Sequence, residues 1–128
     1  MKTGHKGTRY VPRAAIWTSP NTYLEPNLFY VTAETETRLV PNRRTTADLV
    51  VEVISPGSAI YDLNTKADTY AALGVRELWL VDEHNGTIEV RTLENERLLP
   101  GEVHSGSEEV QSTVLDGFSF AATQIFGD

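Results

Sequence analysis

Two runs of apolar residues, separated by a stretch with helical periodicity, dominate the hydrophobic pattern of this chain. Residues 48–55, DLVVEVIS, are continuous and β-branched, which is typical of a strand covered on both faces. Residues 77–82, ELWLVD, have the same character. Between them, apolar positions recur at helical spacing from Leu63, and Gly74 predicts the end of a helix of about ten residues. The segment 48–82 therefore predicts a strand, a helix and a second strand parallel to the first.

The rest of the chain predicts shorter elements. Residues 27–32, NLFYVT, predict a first strand, and the polar, Pro-containing residues 33–46 predict a loop. The triplet HNG at 84–86 predicts a tight turn into a strand at 87–92, and SFAATQIF at 119–126 predicts a short amphipathic helix. The predicted fold is α/β: a mixed sheet with a crossover helix in a β-α-β core, then a β-meander and a short C-terminal helix.

The amino-acid composition restricts the number of domains and the class of protein. The chain has 128 residues of which 40% are hydrophobic, so we expect one domain over 1–128, with a basic, loose arm at 1–20 and the core at 21–128. The sequence lacks the ~18 consecutive apolar residues of a membrane span and the apolar centre of a secretory signal. It also lacks cysteine, which excludes disulfides and thiolate chemistry. A cytoplasmic protein without membrane partners is the expectation.

The net charge of −7 is unevenly distributed. Residues 1–24 carry four basic residues and no acid, so the remainder is −11, which is −7 minus +4. An acidic body opposes tight nucleic-acid binding, because much of that affinity comes from neutralising phosphates. The basic segment can either supply local contacts to DNA or form a solvated terminal tail.

Glu52 is the most unusual residue in the pattern, because it lies in the middle of a buried-type strand. A carboxylate removed from water costs several kcal/mol unless it is paired, protonated or bound to a metal. Its neighbours on the same strand face, Val50 and Ile54, are apolar. Two interpretations are open: an ion pair with a nearby Arg or Lys, or a cleft carboxylate that binds a hard divalent cation.

The predicted helix supplies a companion for this carboxylate. Lys66 lies beside the apolar stripe, so its ammonium can reach the Glu52 region if the helix packs across the sheet. Alternatively, Lys66 forms an ordinary i, i+4 salt bridge with Asp62. Asp48 opens the first strand and Asp82 closes the second, and each is either a turn residue or part of a site.

These residues also carry a resemblance to a known family. The block DLVVEVISPGSAIYDLNTKADTYAALGVRELWLVD, residues 48–82, resembles the core of the Uma-type family of restriction endonucleases, in the PD-(D/E)xK nuclease superfamily. VLDGFSFAATQIF resembles the family's C-terminal segment, and the resemblance covers roughly residues 20–126. The core positions that match in order are Glu52, Ser55, Pro56, Asp62, Lys66, Tyr70, Gly74, Val75, Trp79 and Asp82.

The resemblance implies Mg²⁺- or Mn²⁺-dependent cleavage of DNA phosphodiester bonds. In that superfamily an Asp and a Glu hold the metal and a Lys positions the attacking water, and Glu52 stands at the second acidic position. Ile54 occupies the place of the usual Lys, which the family moves to the helix, so Lys66 is the candidate. Asp48 or Asp62 would be auxiliary.

Two departures from the family qualify this expectation. Asn27 stands where the first metal-binding Asp is expected, and Glu25, two residues earlier, can partly substitute for it. The family usually has further N-terminal elements, so the chain resembles a truncated relative. The alternative function is an inactive binding or oligomerisation module, a homodimer through exposed sheet edges. A small-molecule hydrolase on the same scaffold is a third possibility.

Overall fold

A computed structural model of the chain describes residues 7–10, 15–20, 22–24, 26, 28–39, 44–54, 60–105, 108–114 and 119–121. The strands are β1 (Gly7–Tyr10), β2 (Ile16–Ser19), β3 (Thr22–Leu24), β4 (Leu28–Thr32), β5 (Leu49–Ile54), β6 (Glu77–Asp82), β7 (Thr87–Thr92), β8 (Glu102–Ser105), β9 (Glu109–Gln111) and β10 (Ser119–Ala121). The helices are α1 (Ala33–Glu36) and α2 (Ile60–Ala72).

The described strands form one six-stranded sheet and two small two-stranded sheets. The large sheet has the order β1-β4-β5-β6-β7-β8, and the small sheets pair β2 with β3 and β9 with β10. Within the large sheet, β5 and β6 are parallel and the other neighbours are antiparallel. The mixed sheet and the parallel pair joined by a helix confirm the predicted β-α-β core.

The end of α2 explains how the crossover closes. Gly74 has a positive φ of 89°, which glycine adopts without a side-chain clash. The amide of Gly74 donates to the carbonyl of Ala71 at 3.0 Å, and the amide of Val75 donates to the carbonyl of Tyr70 at 3.0 Å. This pair of bonds is a Schellman motif, so the predicted cap is present. The helix itself begins earlier than predicted, at Ile60.

Both faces of the sheet are covered, and each face has its own core. On the face under α2, helix residues such as Ala67 and Tyr70 pack against strand residues such as Val50 and Leu78. On the opposite face the buried residues are Tyr30, Leu49, Trp79, Val81, Ile88, Val110 and Val114. Burial on both sides explains why the segments that form β5 and β6 are continuously apolar.

The connection after β6 is a meander, as predicted. A turn that contains Gly86, with a φ of 66°, joins β6 to β7. A second turn has Asn95 and Glu96 at positive φ, and Glu94 and Arg97 exchange two backbone hydrogen bonds of 2.9 Å across it. Within the described residues, neither helix has the length and apolar character needed to cross a membrane.

Three local predictions differ from the structure. Gly7–Tyr10 pairs with β4 and Ile16–Ser19 pairs with β3, so these parts of the predicted loose arm are strands. The predicted loop contains α1, because Thr32 Oγ1 caps it by accepting from the Thr35 amide at 3.2 Å. Ser119–Ala121 is a strand paired with β9 where a helix was predicted, and residues 122–126 lie outside the described residues.

Candidate active site

Glu52 lies in the interior of the large sheet on the face that α2 covers. It is the fourth residue of β5, and its register partner on β6 is Leu80. Only 6% of the residue is exposed. The strand alternation that gives Val50 and Ile54 to this face therefore also turns the carboxylate toward the helix.

Two side chains of α2 contact the two oxygens of this carboxylate. The Tyr70 hydroxyl donates to Glu52 Oε2 at 2.5 Å. Lys66 Nζ lies 3.8 Å from Glu52 Oε1, and its side chain is 49% exposed. Lys66 and Tyr70 are four residues apart, so one helix face delivers both groups to the same carboxylate. The structure thus places the predicted ammonium beside the predicted acid.

Tyr70 is a permanent hydrogen-bond donor in this arrangement. Burial raises the pKa of the phenol well above its usual value, and the nearby Glu52 charge and their hydrogen bond raise it further. The hydroxyl therefore keeps its proton at physiological pH and can only donate to the anionic oxygen. Sequence reasoning placed Tyr70 in the family pattern without a role. Its i, i+4 spacing from Lys66 was the signal that could have found it.

Asp48 belongs to a separate network at the other end of β5. It is 5% exposed and accepts hydrogen bonds from the Thr32 amide at 2.7 Å and from Thr35 Oγ1 at 3.0 Å. Arg76 donates to it through Nε and Nη2 at 3.2 and 3.0 Å. Four residues of strand put Asp48 about 13 Å from Glu52. The structure does not bring these two predicted site residues together.

The remaining predicted residues are either turn-forming or outside the described side chains. Asp82 Oδ1 accepts from the Asn85 amide at 3.1 Å and Oδ2 accepts from Asn85 Nδ2 at 2.8 Å. These bonds hold the pKa of Asp82 below its ordinary value. Asn27, Glu25 and the side chain of Asp62 lie outside the part of the molecule that the structure describes.

A second charged network, which sequence reasoning missed, lies on the same sheet face. The Arg91 side chain is 3% exposed, and its Nε donates to Glu89 Oε2 at 2.9 Å. Arg91 Nη1 donates to Asn64 Oδ1 at 3.2 Å, which ties β7 to α2. The Gly101 amide also donates to Glu89 Oε2, at 3.1 Å. Side chains alternate along TIEVRT, which puts Glu89 and Arg91 on one face, but the helix partner Asn64 has no sequence signature.

The donor set at Glu52 fits part of a divalent-metal site. A carboxylate oxygen is the ligand that Mg²⁺ and Mn²⁺ prefer, and Oε1 is the oxygen that the Tyr70 hydroxyl does not contact. Across the described residues, no group of three or more His, Cys, Asp and Glu side chains could hold a metal ion. Further ligands would have to come from residues beyond the described set or from substrate and water.

The large mixed sheet, its crossover helix and the carboxylate–lysine pair between them define an α/β protein with a candidate active site under α2. The sequence profile of the Uma2 family, described as "Putative restriction endonuclease", matches residues 2–123. Because the match spans nearly the whole chain, this protein belongs to the Uma2 family.

A solved structure supports the same fold. The structure of a "putative nuclease belonging to DUF820" from Anabaena variabilis superposes with a TM-score of 0.73 at 13% sequence identity. The alignment covers 95% of this chain and 69% of that chain. Because the sequence identity is only 13%, the structural similarity between the two proteins establishes the fold alone. No curated protein sequence matches this chain.

Proposed function

We propose that the protein is a divalent-metal-dependent endonuclease that hydrolyses DNA phosphodiester bonds at the Glu52 site. The observation that carries the proposal is the buried Glu52 carboxylate with Lys66 Nζ 3.8 Å from its Oε1. A bound Mg²⁺ or Mn²⁺ would neutralise charge on the phosphate and lower the pKa of a bound water. Membership of a family described as restriction endonucleases supports this reaction class.

In this proposal the two oxygens of the Glu52 carboxylate have different roles. Tyr70 holds Oε2 and fixes the rotamer of Glu52. Oε1 is left for a cation, and the Lys66 ammonium now occupies its vicinity. The half-exposed Lys66 side chain can swing away from the carboxylate and hold a water or a phosphate oxygen by hydrogen bonding, since an ammonium has three donors.

Asn27 and Glu25 remain the proposed additional metal ligands. Leu28, the residue after Asn27, pairs with Val51, which adjoins Glu52. An amide oxygen can coordinate Mg²⁺ but brings no charge, so we expect weaker metal binding than at a site with two carboxylates. Asp62 remains a proposed auxiliary residue on α2. A cytoplasmic location and a homodimer also remain predictions.

Plasmid nicking in Mn²⁺ tests the assignment with four proteins: the parent, Glu52→Ala, Lys66→Ala and Asn27→Asp. We expect the first two variants to lose nicking and Asn27→Asp to exceed the parent, because a second carboxylate strengthens metal binding. Thermal unfolding in millimolar Mn²⁺ is the independent readout, since a specific ligand must stabilise the folded state.

Asp68→Asn is the matched control for these variants. Asp68 lies on the same helix with a 62% exposed side chain that faces Arg97 at 3.8 Å. This substitution removes a carboxylate without touching Glu52, so nicking should persist. Equal nicking by all of the proteins would assign the activity to a contaminant and refute the proposal.

A further inference from the structure

A cavity lies near Glu52, at the carboxyl ends of β5 and β6. It has a volume of about 280 Å³, and Ile54, Leu63 and Leu80 form its apolar walls. Ile54 is two residues beyond Glu52 on the same strand face, which is roughly 7 Å away. Leu63 is one helical turn before Lys66. Leu80 is also the register partner of Glu52, so a ligand in this cavity would lie near the proposed catalytic groups, although Glu52 and Lys66 are not among the lining residues.

The polar groups of the cavity are mainly hydrogen-bond acceptors. Asp82 and Glu89 contribute carboxylates, and the Arg91 guanidinium is already bonded to Glu89. The Glu89 side chain is 21% exposed, and the hydrogen bonds that it accepts from Arg91 and Gly101, among the described residues, both go to Oε2. A carboxylate accepts about four hydrogen bonds, so the fixed Glu89 group retains capacity for another donor.

The charge and shape of the cavity select the class of ligand. Two carboxylates and one guanidinium leave a net negative charge, which disfavours a phosphate group. Apolar walls with a few fixed acceptors suit a flat ring that carries an N–H donor. Among the parts of a nucleic acid, only the base combines these properties, and carboxylates accept from the exocyclic amine of cytosine.

We propose that this cavity binds one unpaired nucleobase with an exocyclic amino group, next to the phosphate that the Glu52 site cleaves. The inference deepens the proposed endonuclease function and rests on it for its biological meaning. A paired base cannot enter, so the favoured substrate is single-stranded DNA or a duplex with an extruded nucleotide. Thymine, which has no exocyclic amine and offers only its ring N3–H as a donor, is the disfavoured base.

The test uses the full chain without metal, so that no cleavage interferes. Deoxycytidine, deoxyadenosine, deoxyguanosine and thymidine are titrated into ¹⁵N-labelled protein, and the amide shifts of residues 87–91 and 101–105 are followed. We expect saturable shifts on the order of millimolar dissociation constants for the three amino-bearing nucleosides. Thymidine should bind roughly five-fold more weakly, or worse.

Two variants and a control examine the acceptor itself. Glu89→Gln keeps the side-chain size and should abolish the preference over thymidine. Val103 lines the cavity and is 57% exposed on the edge strand β8, so Val103→Lys places a cation at the cavity without disturbing the core. This variant should also abolish the preference over thymidine. Glu102→Gln removes an 89% exposed carboxylate on the same strand and should change nothing.

The outcomes separate this inference from the function on which it rests. Glu52-dependent nicking without nucleoside-induced shifts would overturn the base site and leave the endonuclease intact. Equal shifts with all four nucleosides, or a preference unaltered by both Glu89→Gln and Val103→Lys, would also overturn it. Selective nucleoside binding in a protein that never nicks DNA would uphold the base site and refute the endonuclease.

Discussion

Tyr70 and Glu52, 18 positions apart in the chain, meet through a 2.5 Å hydrogen bond between the phenol and Oε2 of the carboxylate. Both residues are buried, so the bond links the last turn of α2 to the interior of β5. The carboxylate is thereby held in one rotamer before any ligand arrives. This relationship supports the first prediction.

Tyr70→Phe should destabilise the protein by about 1–3 kcal/mol, because it leaves a buried carboxylate oxygen without its donor. Urea unfolding measures the change. Tyr30→Phe, which removes another hydroxyl from a buried tyrosine on the opposite sheet face, is the control and should cost less. A smaller loss at Tyr70 than at Tyr30 would contradict the proposed importance of the hydrogen bond.

Lys66→Met should bind Mn²⁺ more tightly than the parent while losing nicking. Removing the ammonium relieves its repulsion of a Mn²⁺ ion at Glu52 Oε1. Because the Lys66 side chain is half exposed, we expect the Mn²⁺ affinity to rise by only roughly three- to ten-fold. Calorimetric titration with Mn²⁺ measures this affinity. Arg97→Met, which removes a cation paired with Asp68, is the control. Weaker Mn²⁺ binding in Lys66→Met would show that Lys66 supports the metal.

Asp48→Asn should lower stability without a direct effect on nicking. Asp48 accepts from the Thr32 amide and Thr35 Oγ1 and pairs with Arg76, so loss of its charge should cost about 1–3 kcal/mol. Because the Arg76 side chain is 52% exposed, Arg76→Gln should cost less. Loss of nicking well below the unfolding temperature would place Asp48 in the catalytic apparatus after all.

Asn85→Ala should raise the pKa of Asp82 part of the way toward its ordinary value of 3.8. The backbone amide of residue 85, which is the largest cause of the lowered pKa, still donates to Asp82, but the Asn85 side-chain hydrogen bond is lost. A lowered native pKa means that the Asp82 carboxylate stabilises the fold at pH values above 3.8. That contribution is lost as the pH falls through the native pKa. Carboxyl NMR titration of both proteins measures the shift, and coincident Asp82 curves would contradict it.

The β-α-β core was predictable because its signals are local. Strands buried on both faces read as continuous apolar runs, and Gly74 marks the helix end through its own backbone geometry. The first turn of α2 was missed, since the start was inferred from apolar spacing that begins at Leu63. The Gly7–Tyr10 strand was missed because it is short, polar and stabilised by the edge of β4.

The polar networks were predictable only in part. The position of Glu52 in an apolar run identified a buried carboxylate, and helical spacing identified Lys66. The partners of Glu77 could not be foreseen, because Ser112 Oγ and the Thr113 amide reach it from 35 and 36 residues away, at 2.6 and 3.0 Å. A single sequence carries no signal for such distant pairs.

The glycine cap of α2 has a further consequence for the candidate active site. The Val75 amide bonds to the carbonyl of Tyr70, and Val75 is followed within two residues by the first residue of β6. The cap therefore fixes the position of the Tyr70 phenol along the sheet, and with it the position of the Lys66 ammonium one helical turn earlier. Adding a single residue after Gly74 would shift both groups relative to the carboxylate, although every side chain of the candidate site would still be present.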